Sequence, residues 1–184
     1  MKSDPRDMVL CAMFTALIAV GAFIKIPVGT VPITLQFLFT NLAGLLLGRR
    51  RGLISVGVYI VLGLIGLPIF TLGGGLGYLF QPTFGYILGF ALGTWLAGII
   101  TEKGKPALKT YLLAGLADFS VVFTMGLAYL YLIMNYYLLS PISISKLLFT
   151  GFLVFVPGDI AWVLLSALLA VRLRPITTKS ASAT

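Results

Sequence analysis

From Gly52 to Thr101 the chain runs for 50 residues without a charged side chain. A water-soluble domain carries roughly 25% charged residues, spread so that each surface helix keeps a polar face. Residues 8–24 and 26–48 are uncharged as well. Over all 184 residues only 10% are charged and 59% are hydrophobic, and the mean hydropathy is +1.08. So much apolar surface needs lipid as its solvent. The chain reads as an integral membrane protein.

The apolar runs predict an all-α fold of six transmembrane helices near 8–26, 34–48, 53–69, 84–100, 110–134 and 147–172. Six spans return both termini to one face. That face collects Lys2, Arg6, Arg49, Arg50, Arg51, Lys103, Lys105, Lys109, Arg172, Arg174 and Lys179, eleven of the 13 basic residues. Only Lys25 and Lys146 fall on the other side. The positive-inside rule then makes the N- and C-termini cytoplasmic, in a multi-pass protein of the cell membrane. The net charge of +8 is therefore spent on loops, not on a nucleic-acid face. One domain is expected over residues 1–176, with a short polar, disordered tail over 177–184. The first span has basic residues before it but no small-x-small cleavage site after it. It is expected to stay in the mature protein.

The outward connections differ from the basic inward turns. Ile26–Thr34 carries two prolines, which favour extended backbone. Phe70–Phe84 is rich in glycine and aromatic residues. Irregular backbone at membrane depth survives only where protein or a cavity covers it, so both loops are expected to close over a ligand pocket. Gly74 and Gly75 would allow close backbone approach to a ligand. Gln36, just past the first loop, offers an amide that both donates and accepts; hydrogen bonding between helices is its commoner use. Tyr78, Phe84, Tyr86 and Trp162 are further candidates for the lining.

Two carboxylates lie inside spans, where an ionised group costs about 2.5–3.5 kcal/mol. Asp159 follows Pro157-Gly158, a place for a helix break, and either binds a ligand bearing N–H donors or caps the new helix end. Asp118 is better read as structural, paired with a basic loop residue or snorkelling toward the inner face. On the first span Ala12, Ala16 and Ala19 share a face, suited to close helix packing within the bundle or to docking of a separate membrane subunit.

Much chemistry is excluded. One cysteine and no histidine leave no disulfide framework, no thiolate metal site and no usual zinc or haem ligands. Gly98–Lys105 has the wrong spacing for a Walker A loop, and Pro106 stands in place of its Ser/Thr. No nucleophile–base pair suggests an intramembrane enzyme, and no cofactor is implied. A stand-alone secondary transporter would call for more intramembrane acids than these two.

Several motifs together resemble the biotin transporter (BioY) family: Val31-Pro-Ile-Thr-Leu-Gln36, Ala43–Gly48 followed by a basic turn, Tyr59–Phe70, Gln81–Phe90 and Phe155-Val-Pro-Gly-Asp159. The similarity runs from about Ala12 to Leu169 in family order. It implies a substrate-binding subunit of an energy-coupling-factor transporter, holding biotin and working with a transmembrane coupling subunit and two ATPase subunits. The resemblance also implies that Asp159 and Gln36 contact the ligand and that the Ala12-x-x-x-Ala16 pattern docks the partner. Trp162 stands where the family usually has lysine, and the second loop is shorter, with Phe84 in place of a glycine. A related ligand such as lipoate or a biotin precursor is the alternative, and Lys25 or Lys146 would have to supply the missing cation.

Overall fold

The computed structural model describes residues 5–26 and 31–179. Four helical stretches are long and apolar enough to cross a membrane: Pro5–Phe23, Phe84–Lys103, Leu108–Tyr137 and Ile144–Arg174. The first is α1. A hairpin of strands β1 (Lys25–Ile26) and β2 (Ile33–Thr34) follows, Lys25 opposite Thr34. The tip of the first loop, residues 27–30, lies outside the described residues.

Helix α2 (Gln36–Leu64) is continuous in hydrogen bonding but not straight. Gly48, at φ 78° and ψ −176°, leaves the helical region inside it. Residues 23 positions apart would lie about 34 Å apart in a straight helix, yet the Gln36 amide donates to the Tyr59 hydroxyl at 2.6 Å. The two arms therefore run back along each other. The turn is basic and polar: Arg49 pairs with Glu102 at 3.1 Å and Arg51 with Asp7 at 2.6 Å.

The chain then passes through a 3₁₀ turn (Leu76–Phe80) into α3 (Phe84–Lys103) and α4 (Leu108–Leu132). α4 ends in a wide turn at Ile133–Tyr137. A short α5 (Ile144–Leu148) leads through a second wide turn, Phe149–Leu153, into α6 (Val156–Lys179). The break expected at Pro157-Gly158 is thus displaced. The irregular backbone precedes the proline, and Pro157 sits in the first turn of α6, where its missing N–H is no loss. α6 also runs to Lys179, past the boundary expected at 176; residues 180–184 lie outside the described residues.

α2 and α3 sit at the centre. α1 packs on α2 through Cys11, Phe14, Ile18 and Ala22, while Ala12 and Ala16 are exposed. Of the three alanines expected to share a face, Ala19 packs against the main core, whereas Ala12 and Ala16 do not serve bundle packing.

Candidate ligand site

A cavity opens between the two loops and the helix ends beneath them. Its polar lining is Thr34, Gln36, Thr71, Thr83 and Asp159, and its aromatic lining includes Phe37, Tyr86, Phe90 and Phe123. The enclosed space is tight, about 50 Å³, room for a few water molecules.

Gln36 is the hub of the polar side. Its oxygen accepts from Thr71 Oγ1 at 3.0 Å and Thr34 Oγ1 at 3.3 Å, one hydroxyl from each loop. Its amide nitrogen donates to Tyr59, whose hydroxyl in turn donates to the Ile69 carbonyl at 3.1 Å. A clip joins the loops from outside: Lys25 Nζ donates to the Thr71 carbonyl at 2.5 Å. In the second loop Tyr78 and Thr83 share a hydrogen bond of 3.0 Å. Burial pushes the Tyr78 phenol up, against the opposing Thr83 hydroxyl, so it serves as a neutral hydrogen-bonding group.

Asp159 forms the other pole. It is buried, lines the cavity, and has no side-chain hydrogen bond among the described residues. Its backbone N–H is already bonded to the Phe155 carbonyl at 2.9 Å, so the residue lies within the first turn of α6 and does not cap it. Tyr86 lines the wall with its hydroxyl tied to the Gly151 carbonyl at 2.8 Å. The ring stands edge-on to Phe123, their centroids 5.9 Å apart. The arrangement has one deep acceptor, one amide with threonines at the mouth, and aromatic walls between. It suits a small flat molecule with N–H donors and an apolar body.

Other candidates sit elsewhere. Gly74 and Gly75 form the second loop's turn, where the Gly75 N–H reaches the Gly63 carbonyl at 2.7 Å, and they do not line the cavity. Trp162 packs between the main core and the α1–α2 contact. Its indole N–H is buried without a hydrogen bond among the described residues, but the ring does not reach the lining. Asp118 corrects its expectation. It is fully buried and takes a 2.9 Å hydrogen bond from Asn41, and among the described residues it makes no salt bridge. Thr71 and Tyr59 carried no signal in the sequence, since their contacts with Gln36 span 35 and 23 positions.

The family model for BioY matches residues 1–179. The chain belongs to the BioY family. It is 45% identical over 173 residues to a probable biotin transporter BioY of Lysinibacillus sphaericus, covering 94% of this chain and 88% of that one. With the biotin transporter BioY of Thermotoga maritima it shares 38% identity, covering 93% and 97%. In three dimensions it is similar to the crystal structure of the S-component for biotin from an ECF-type ABC transporter. The TM-score is 0.79 at 31% identity, covering 92% of this chain and 91% of that one. This BioY-family protein is accordingly a mostly helical, multi-pass membrane protein with an S-component fold. Within that frame the cavity under the loops becomes the place to look for a cargo.

Proposed function

We propose that this protein is the biotin-binding membrane subunit of an uptake system in the cell membrane, a carrier and not an enzyme. The observation that carries the reading is Asp159, a buried carboxylate on an apolar cavity wall with no hydrogen bond from the described residues. Such a group needs a donor. The cyclic urea of biotin offers two N–H groups and a carbonyl, and its thiophane and chain offer apolar surface for Phe37, Tyr86 and Phe123.

Calorimetry on the purified protein tests this: biotin gives binding heat at micromolar concentration. Heat with lipoate or a biotin precursor, and none with biotin, redirects the assignment. Asp159→Asn weakens binding by about 1–3 kcal/mol, the usual worth of a hydrogen bond to a charged group. Unchanged affinity returns Asp159 to a structural role.

In the membrane the two arms of α2 make separate crossings, giving six spans with both termini in the cytoplasm and the loops outside. The eleven-to-two split of basic residues supports that orientation. Energy comes from a transmembrane coupling subunit and two ATPase subunits. Ala12 and Ala16, small and exposed on α1, form the docking face. Ala16→Trp is expected to cut biotin uptake by cells at least about tenfold, by blocking close helix approach, while calorimetric affinity is unchanged. Loss of both sinks the docking role, and uptake by this chain alone in liposomes would replace the coupled mechanism with a stand-alone transporter.

A further inference from the structure

The cavity lining holds one carboxylate, Asp159, and no cation. A ligand that is itself a carboxylate then brings a second negative charge toward an apolar space, which is unfavourable without a positive partner. Two basic residues lie outside the clustered inward ones, Lys25 and Lys146. Only the first of them is tied to the lining. Lys25 stands opposite Thr34 in the β1–β2 hairpin, and its ammonium donates to the backbone carbonyl of Thr71 at 2.5 Å. Thr34 and Thr71 both line the cavity. Lys146, in α5, is exposed and makes no ion pair among the described residues.

An ammonium has three donors. One is spent on Thr71, which leaves two at the seam where the loops meet.

We propose that Lys25 sets the charge selectivity of the site, binding the ligand's carboxylate at the cavity mouth while keeping its hold on the second loop. The inference rests on the biotin reading and extends it by fixing an orientation. The urea ring goes inward to Asp159, and the acid chain points back to the seam. In the empty state Lys25 adds its bond to Thr71 to the two hydroxyls that the Gln36 oxygen already gathers from the loops. A bridging carboxylate adds a further tie and holds them shut. Asp159 and Lys25 thus divide the recognition, one reading N–H donors and the other a negative charge.

The test compares biotin with its uncharged alcohol, biotinol, by calorimetry on the full-length protein. The wild type is expected to prefer biotin by about 10- to 100-fold, the range of a charge-assisted hydrogen bond. Lys25→Met and Lys25→Gln should both bring that ratio to within about threefold, while loss of the Thr71 contact lowers the affinity for both ligands alike. Lys25→Gln retains a neutral N–H donor, so it separates loss of charge from loss of a loop contact. A ratio that survives in either variant overturns the assignment, as does a ratio that collapses in Lys146→Met instead. Failure of the wild type to bind biotin at all removes the functional reading and this inference with it. A wild type that binds biotin and biotinol equally removes only the role of Lys25.

Discussion

Replacing Gly98 with valine is expected to destabilise the folded protein by about 3 kcal/mol, the upper end of what overpacking usually costs. A Cβ on Gly98 would lie 2.2 Å from the Arg49 backbone nitrogen, 2.4 Å from its Cα and 2.6 Å from the Gly48 carbonyl carbon. All three are main-chain atoms at the turn between the arms of α2. That turn cannot swing aside cheaply. Gly48 holds φ 78°, and the Glu102 carboxylate takes the Arg49 N–H at 2.9 Å as well as its side chain. Valine would have to push α3 off the centre of the bundle. Gly57 is the control, because nothing lies within 4 Å of a Cβ placed there. Gly57→Ala should stabilise by about 0.5–1 kcal/mol through helix propensity. Unfolding in detergent micelles, followed by near-ultraviolet circular dichroism, reads both. A Gly98→Val protein that melts with the wild type would mean that the turn does not rest on α3.

The second large effect is expected at Asn41. Its amide donates to Asp118 at 2.9 Å, and its oxygen accepts from Ser166 at 2.8 Å. One side chain on α2 thus joins α4 to α6 in the fully buried interior. Asn41→Ala strips Asp118 of the side-chain donor that it has and leaves a buried acid unsatisfied, at a cost of about 1–3 kcal/mol. Asp118→Asn behaves differently. The other carboxylate oxygen has no hydrogen bond among the described residues, so the neutral isostere gives up little and removes the burden of the charge. It should change stability by less than about 1 kcal/mol or raise it. If Asp118→Asn is as damaging as Asn41→Ala, the charge itself is required for folding.

The helices were legible because their signal is local. Uncharged runs broken by basic clusters placed α1, both arms of α2, α3 and α4 to within a few residues, and Arg49–Arg51 marked the turn that brings the arms together. Asp159 and Gln36 were visible as polar side chains where polarity is costly. What escaped depends on how the rods are rotated and where distant loops meet. Trp162 follows Asp159 by less than one helical turn, yet the rotation of α6 sends its ring into the core beside α1 and α2. Thr71 is one threonine in an apolar loop until the hairpin of α2 places Gln36 beneath it. Glycine in the second loop suggested backbone approach to a ligand. It serves the turn itself, while Thr71, Tyr78 and Thr83 supply that loop's share of the lining. Pro157 follows the same logic: a proline marks a boundary but does not say on which side the irregular backbone lies.

The Gln36 amide ties the two loops to one another. Its oxygen is shared by a hydroxyl from each flap, and Lys25 laces the flaps together a second time. Neither flap can lift without loosening its neighbour, so the two behave as one door on a common latch. One amide side chain thereby fixes the spacing of two loops, reaching Thr71 from 35 positions away in the chain.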